Sequence, residues 1–267
     1  YSYIDYMKSE QEYLESEKYQ KDKRYWEDKF TQIPEVATIP GSKINGNESN
    51  PEGNREKYKL DSILVENIKK YCKENKISLY NFFMAIYAIY IGEISNLDEF
   101  VIGTPILNRT NFKEKQTTGM FINVLPLKFD INHEEKFTEF LSKIAKDSMG
   151  LLRHQRYSYN YILEKKKKKD SSLPGLYNIL LSYQITKMTD NNDQLPHNSS
   201  WVFNESTSDD LDIHIFEWND NNSLQIAYDY RLDKYSEEEI SMIHERILHV
   251  INQILNDENI LLKEIEI

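Results

Sequence analysis

The sequence predicts an α/β fold in which helices pack against a mixed β-sheet. Segments with the 3.6-residue periodicity of amphipathic helices alternate with short apolar segments that are rich in β-branched and aromatic residues. Hydrophobic residues make up 39% and aromatic residues 12% of the 267 residues, which excludes a disordered chain and allows a sizeable core. We find no internal repeat, so a repeat architecture is not expected.

The first 40 residues are predicted to form a helical linker region, distinct from residues 41–267. Residues 8–30 are polar, charged and free of Gly and Pro, which predicts one long, mostly exposed helix that ends before Pro34 and Pro40. Four aromatic residues could anchor this helix: Tyr13, Tyr19, Trp26 and Phe30. The sequence begins without Met, a basic segment or an apolar segment, so we expect a piece of a longer chain rather than a secretory start.

Two helices are expected after a short strand over residues 55–61. Asp61 can cap the first helix, and Ser78 can cap the second, which is apolar nearly all round and therefore expected to be buried. No segment approaches the roughly 20 apolar residues that a membrane-spanning helix needs. The single cysteine, Cys72, excludes an internal disulfide and predicts a thiol in the core.

Two strands are expected between residues 99 and 130. The first, EFVIGTPIL, should end in a sharp turn where Gly103 precedes Pro105. The second, MFINVLPLKFD, is apolar on both faces, as a central strand would be, except that Asn123 interrupts it. A buried amide without a hydrogen-bond partner costs about 1–3 kcal/mol. Asn123 should therefore either bond neighbouring backbone or face a cavity in which it holds a substrate, and the pattern favours neither alternative.

Three helices and three strands complete the predicted fold. The helices cover residues 135–152, a shorter segment around 159–164, and a final segment in which Ser236 and Glu239 form a capping box. The strands are LYNILLSYQI, LDIHIFEWN and SLQIAYDYRL, with a hairpin turn at residues 221–222.

One of these strands carries a polar face. Alternation places Ser182 and Gln184 on one side of the strand, with Leu181 and Tyr183 on the other. A polar face of this kind usually meets solvent, and the alternative is the polar wall of a tunnel.

The charges and motifs exclude several classes of function. The net charge of −11 makes nucleic acid a poor partner, and we interpret Lys165–Lys169 as a solvated loop in preference to a phosphate site. The sequence has no H-E-x-x-H, G-x-S-x-G, Walker A or G-x-G-x-x-G motif, and none of its six histidines begins H-x-x-x-D. We therefore expect no catalytic residue and no metal site within these residues.

Five segments, taken in order, resemble the motifs of nonribosomal peptide synthetase condensation domains. The family motif I-G-x-P-x-x-x-R is matched by Ile102, Gly103, Pro105 and Arg109. The segment GMFINVLPLK, which starts at Gly119 and contains Asn123, resembles G-M-F-V-N-T-L-P-L-R. The motif H-Q-x-Y-P-F is matched in part by His154, Gln155 and Tyr157. LPGLYNILLSYQ resembles N-P-L-F-D-V-M-F-S-Y-Q, and YSYIDYMKSE with KDKRYWEDKF resembles the segment after the family's catalytic loop.

The similarity extends over essentially the whole sequence, with two departures. The H-H-x-x-x-D-G motif is absent and would lie before Tyr1. Ser172 and Leu173 stand where the family has Arg-Asn before the proline of its later motif. The closing hairpin and helix, YDYRLDKYSEEEISMIHERILHVINQIL, also fit the family.

The resemblance implies a domain of two lobes, each like a chloramphenicol acetyltransferase subunit: a two-layer sandwich with a mixed sheet. Residues 41–267 would then be the C-terminal lobe. In the family, an acceptor amine on a downstream carrier protein attacks a donor acyl or peptidyl thioester on an upstream carrier, in a tunnel between the lobes.

The implied partners are the N-terminal lobe of the same domain, upstream and downstream peptidyl carrier proteins, and an adjacent adenylation domain. The substrates would be carried on the phosphopantetheine of the carriers, with no cofactor bound by this chain. The resemblance also implies a cytoplasmic enzyme of antibiotic or other secondary metabolite biosynthesis.

The resemblance also implies roles for particular residues. Candidates for the tunnel wall are Asn123, Ser182 and Gln184. Residues with a structural role in the motifs would be Gly103, Pro105, Arg109, Gly119 and His154. Residues 186–210 could cover or latch the cleft. Two alternatives stay open: a non-catalytic lobe that docks carrier proteins, and a sister epimerisation or heterocyclisation domain. We expect the isolated chain to fold without catalysing condensation.

Overall fold

A six-stranded mixed sheet organises the fold. The structure is a computed structural model that describes residues 1–42, 52–168, 175–186, 202–218 and 223–267. The strands are β1 (Gly53–Lys59), β2 (Glu99–Ile106), β3 (Asn123–Asp130), β4 (Ile179–Thr186), β5 (Leu211–Trp218) and β6 (Ser223–Arg231). Their order is β1-β6-β5-β4-β2-β3, with parallel pairing of β2 with β4 and of β4 with β5, and antiparallel pairing elsewhere. The predicted mixed sheet is confirmed.

The helices are α1 (Tyr3–Leu14), α2 (Glu17–Lys29), α3 (Ser62–Glu74), α4 (Leu79–Ser95), α5 (Phe112–Lys115), α6 (Phe137–Arg153), α7 (Tyr159–Lys167) and α8 (Glu237–Asn256), followed by a 3₁₀ turn, Leu262–Glu264. The predicted caps at Asp61 and Ser78 are confirmed, as is the capping box of Ser236 and Glu239. Each cap gives a partner to backbone N–H groups that the first turn of a helix leaves unpaired.

Helices α3, α4 and α8 pack on one face of the sheet, which we call the helix face. Helix α4 is buried from Phe82 to Gly92, because sheet and neighbouring helices surround it. Tyr87 of this helix shares a hydrogen bond of 2.8 Å with Tyr228 of β6, and His244 of α8 lies 3.2 Å from the same Tyr228 hydroxyl. Burial lowers the pKa of His244 to about 4, so this ring is a neutral part of the core at neutral pH.

The N-terminal region forms two helices, so the prediction of one long helix was wrong. Helix α1 ends at Leu14, and Ser16 caps α2 by accepting a hydrogen bond from the backbone N–H of Tyr19 at 3.1 Å. A serine that bonds nearby backbone competes with a continuous helix, which explains the break. The expected aromatic anchors are largely buried, including Trp26 and Phe30.

Two predictions about the strands were also wrong. Gly103 and Pro105 lie within β2, which continues to Ile106, rather than in a turn. The β3 strand, expected at the centre, lies at the edge of the sheet. Pro126 agrees with that position, because proline is confined largely to edge strands.

The lysine cluster is helical, in contrast to the loop expected there. Lys165–Lys167 form the last turn of α7, and the Lys166 ammonium is buried and donates to the backbone carbonyl of Phe30. Lys165 pairs with Glu27 of α2. Lys169 lies outside the described residues, as do most of the expected latch and the turn at 221–222, although β5 and β6 do pair as a hairpin would.

Among the described helices, none is by itself long and apolar enough to cross a membrane. Helices α3 and α4 meet that test only when taken together, and they are bent by 106° relative to each other.

Candidate functional site

A chain of hydrogen-bonded polar side chains crosses four neighbouring strands on the face of the sheet opposite the helix face. Nε2 of Gln184 lies 3.3 Å from Oγ of Ser182, and this Oγ lies 2.7 Å from Nδ1 of His214. Nε2 of His214 lies 3.1 Å from Oδ2 of Asp229. Asp229 accepts two further bonds from Arg55, at 2.5 Å from Nε and 2.6 Å from Nη2. We call these five residues the polar row.

The strand register brings these side chains together. Ser182 of β4 lies directly opposite His214 of β5, and Arg55 of β1 lies directly opposite Asp229 of β6. Because successive side chains of a strand alternate between faces, the apolar neighbours of His214, namely Ile213 and Ile215, enter the core on the helix face.

The neighbours of Asp229 in the polar row determine its charge. Burial alone would raise the pKa of Asp229, but the hydrogen bonds from Arg55 and His214, together with the charge of Arg55, outweigh it and hold that pKa below its ordinary value. Asp229 is therefore a carboxylate at neutral pH, and it can only accept hydrogen bonds. The Arg55 guanidinium also lies over the ring of Phe203, 5.1 Å from the ring centroid.

A pair of acidic side chains lies beside the polar row. Burial, together with the negative charge of Asp209, raises the pKa of Asp212 to about 7. Burial likewise raises the pKa of Asp209. Thr207 donates to Oδ2 of Asp212 at 3.0 Å. Because Asp212 is partly protonated near neutral pH, the pair adds less negative charge to the site than two free carboxylates would.

The candidate tunnel residues do not lie on one face. Ser182 and Gln184 share a face, as strand alternation predicts, and they bond each other. Asn123 lies opposite Ile106 and two residues before Leu125, whose side chain is buried in the core. Asn123 therefore belongs to the helix-face side of the sheet, at its edge.

The Asn123 amide bonds backbone from another part of the chain. Its Nδ2 donates to the carbonyl oxygens of Gln155 at 3.0 Å and of Tyr157 at 3.1 Å. These bonds tie the start of β3 to the segment after α6. No described residue donates to Oδ1 of Asn123, and the side chain is only half buried.

A pocket of about 590 Å³ adjoins Asn123. It lies between α1, which contributes Tyr3 and Met7, and the segment before β3, which contributes Met120; Arg156 also lines it. The Tyr3 hydroxyl donates to the backbone carbonyl of Met120 at 2.7 Å and fixes the two sides relative to each other.

Arg109 and Gly119 hold the loop on one side of this pocket. The Arg109 guanidinium donates to the carbonyl oxygens of Glu114, of Thr117 at 2.6 Å and of Gly119 at 3.1 Å. It also lies over the Phe121 ring, 4.0 Å from the centroid. Gly119 has a φ of +153°, and a Cβ atom there would lie 2.2 Å from the Tyr3 ring, so only glycine fits.

Gly103 and Pro105 mark the junction of β2 with β4. A Cβ atom on Gly103 would lie 2.5 Å from the Tyr177 ring, so the glycine allows that ring to cover the strand. Pro105 has no N–H to donate to β4. The Thr104 hydroxyl instead donates to the carbonyl oxygen of Leu181 at 3.1 Å.

His154 ends α6 and bonds a buried carboxylate that sequence analysis missed. Nδ1 of His154 lies 2.6 Å from Oδ1 of Asp22, which has no exposed surface. Asp22 also accepts from Tyr13 at 2.8 Å and from Lys18 at 2.5 Å, and the His154 ring stacks on Tyr25. The burial of Asp22 could not be predicted, because α2 is rich in charged residues and its sequence does not distinguish a buried aspartate from an exposed one.

His214, Asp229 and Arg55 were also missed. Alternation along LDIHIFEW already puts His214 on the face opposite the apolar residues. The strand order could not be predicted from the sequence, and it is this order that brings β1, β6, β5 and β4 side by side. Across the residues that the structure describes, no group of three or more His, Cys, Asp or Glu side chains could hold a metal ion.

The comparisons with known proteins agree with this architecture. A family model described as the condensation domain matches residues 1–267. The chain is 35% identical over 255 residues to surfactin synthase subunit 1 of Bacillus subtilis (strain 168), covering 96% of this chain and 7% of that protein. The chain thus spans a small part of the curated relatives it matches.

Two solved structures share the fold. The X-domain from teicoplanin biosynthesis matches with a TM-score of 0.84 at 16% identity, over 99% of this chain and 62% of that one. The first condensation domain of the calcium-dependent antibiotic synthetase, in complex with a substrate analogue, matches with a TM-score of 0.74 at 17% identity, over 97% of this chain and 56% of that one. Because the family model matches residues 1–267 of this chain, the chain belongs to the condensation domains of nonribosomal peptide synthetases.

Proposed function

We propose that this chain is the C-terminal lobe of a condensation domain and that the polar row forms part of its substrate tunnel wall. The reaction would join a donor acyl or peptidyl thioester on one carrier protein to an acceptor amine on another. The observation that carries the proposal is the run of bonded polar side chains on the face of the sheet opposite α3, α4 and α8.

The polar row suits a wall that guides substrate. A binding surface needs a few polar groups whose positions are fixed before the ligand arrives. Ser182 is nearly fully buried and is held from both sides, by Gln184 and by His214. Such a surface can orient two tethered substrates, and orientation supplies much of the rate enhancement of a reaction between bound partners.

The lobe assignment rests on coverage and on motifs. The solved X-domain and condensation-domain chains are longer than the part matched here, which is 62% and 56% of them. The H-H-x-x-x-D-G motif of the family does not occur in this sequence. We therefore propose that an N-terminal lobe supplies it, and that carrier proteins with phosphopantetheine and an adenylation domain act beside the complete domain. The product would be a secondary metabolite such as a peptide antibiotic.

The proposal also gives Asn123 two roles, one towards the pocket and one towards the neighbouring loop. We propose that its Oδ1 faces the pocket beside α1 while its Nδ2 holds the carbonyls of Gln155 and Tyr157. In an intact domain, the Asn123→Ala variant separates these two roles. Loss of the Nδ2 bonds lowers thermal stability in either case, so the condensation rate is measured per folded molecule: it falls if Asn123 is also a wall residue, and it is unchanged if Asn123 only braces the loop.

A reconstituted condensation assay tests the proposed function. The chain alone, and the chain within the complete domain, are each mixed with loaded donor and acceptor carriers, and the peptide product is quantified. We expect product only from the complete domain. Product from the chain alone would overturn the assignment of chemistry to another lobe. Carrier binding without product from the complete domain would favour the non-catalytic docking lobe.

A further inference from the structure

We propose that the polar row fixes the Gln184 carboxamide with its oxygen facing away from Ser182, so that this part of the wall recognises an N–H group of a carrier-bound substrate. In this scheme His214 and Asp229 are positioning residues that act through Ser182 and Gln184. The proposal deepens the proposed function and rests on it for the identity of the ligand.

The direction of hydrogen bonding follows from the charged end of the row. The Asp229 carboxylate also receives two bonds from Arg55 and can only accept. The 3.1 Å contact with Nε2 of His214 therefore requires a proton on Nε2. In the neutral imidazole that we propose for His214, Nδ1 carries a lone pair, so the Ser182 hydroxyl, 2.7 Å away, donates its single proton to Nδ1.

The same reasoning fixes the amide orientation. Once the Ser182 proton points at His214, Oγ can only accept from Gln184. The group 3.3 Å from Oγ must then be the Nε2 amide of Gln184, and Oε1 lies on the other side of the carboxamide. No described residue donates to that Oε1, and Gln184 is only half buried, so the oxygen can accept from a ligand.

The chemistry of the ligand follows from this acceptor. A carboxamide oxygen recognises a hydrogen-bond donor, and the substrates that we propose for this domain carry amine and amide N–H groups. Either the donor chain or the acceptor could supply the N–H. If His214 were replaced by an apolar residue, the Ser182 hydroxyl would be free to donate to Oε1. The carboxamide could then turn over and present its N–H groups instead.

Nitrogen-15 NMR of histidine in the intact condensation domain tests the direction of the row without any substrate. The signals of His214 are those that disappear in the His214→Leu variant. We expect an unprotonated Nδ1 and a protonated Nε2 at neutral pH. A proton on Nδ1, in either the other tautomer or the imidazolium form, would overturn the proposal.

Competition between substrates tests recognition. Each substrate competes with an analogue in which one N–H group is N-methylated. The methyl group lies on the donor chain in one experiment and on the acceptor in another. The measured quantity is the kcat/KM of the substrate divided by that of its methylated analogue. This ratio cancels any loss of folded protein, because both substrates compete for the same active molecules.

We expect wild type to favour the N–H form of one substrate, and the His214→Leu variant to reduce that preference by about fivefold to tenfold, the effect of one hydrogen bond. The methylated substrate for which the preference changes, donor or acceptor, identifies the source of the N–H group. The His133→Leu variant is the matched control, because His133 is half exposed and pairs with Asp98 away from the row. A preference unchanged in His214→Leu would overturn the recognition role. A wild-type domain that forms no product would refute the proposed function, while the NMR measurement would still decide the direction of the row.

Discussion

Nδ1 of His154 and the carboxylate of Asp22 lie 2.6 Å apart, although 132 residues separate them in the sequence. This bond joins α2 to the end of α6, and the backbone carbonyl of His154 also accepts from the indole N–H of Trp26 at 3.1 Å. Helices α1 and α2 are thus joined to the end of α6 by buried polar contacts as well as by aromatic packing.

Replacing Asp22 with Ala should destabilise the protein strongly. The variant leaves Tyr13 and His154 without their buried acceptor, and we expect the free energy of unfolding to fall by about 3 kcal/mol. Urea unfolding of the intact domain measures the change. Asp28→Ala, at an exposed position of the same helix, should change stability by less than about 0.5 kcal/mol. Equal effects of the two variants would contradict the role assigned to Asp22.

Replacing Arg109 with Lys should loosen the loop beside the pocket. The guanidinium reaches the three carbonyls from two nitrogens, Nη1 and Nη2, whereas a lysine offers a single nitrogen and cannot cover the Phe121 ring in the same way. We expect backbone amides of residues 110–121 to exchange with solvent about tenfold faster or more. Hydrogen exchange read by mass spectrometry measures this. Arg24→Lys, at an exposed site on α2, is the control, and unchanged exchange in Arg109→Lys would refute the bracing role.

The stability of the protein should depend on pH through Asp212. Its pKa is raised to about 7, whereas an aspartate in the unfolded chain titrates near 4. Between these values the folded state binds more protons than the unfolded state, so stability falls as the pH rises from about 4 to about 7. Above about pH 7 this contribution no longer changes.

The Asp212→Asn variant removes that titration. Its stability relative to wild type should increase as the pH rises from 4 to 7 and then stay level, as chemical unfolding at a series of pH values would show. Asp233→Asn should leave this difference nearly level from pH 4 to 7, because hydrogen bonds from Arg231 lower the pKa of Asp233 and confine its effect on stability to more acidic pH. Stability curves for Asp212→Asn and wild type that run parallel over this range would contradict the assignment.

The local signals in the sequence predicted most of the elements. Caps such as Asp61 and Ser78 act on the first turn of their own helices, so their effect depends on neighbouring residues alone. The edge position of β3 could not be predicted from its apolar pattern, because the apolar face of an edge strand can be covered as fully as that of a central one.

The candidate site was predictable only in part. Strand alternation placed Ser182 and Gln184 together because both lie on one strand. The contact of Ser182 with His214 depends on the pairing of β4 with β5, and that of Asp229 with Arg55 on the pairing of β6 with β1. Pairing between distant segments is a property of the whole sheet, and no single segment contains it.

The condensation rate of the Ser182→Ala variant tests the central claim most directly. The measurement is kcat/KM of the intact domain with loaded donor and acceptor carriers, under conditions in which circular dichroism shows the variant folded. We predict a fall of about tenfold, because the variant breaks the row between Gln184 and His214, with no change in Ser142→Ala on the exposed side of α6. An unchanged kcat/KM in folded Ser182→Ala protein would contradict the claim that the polar row is part of the tunnel wall.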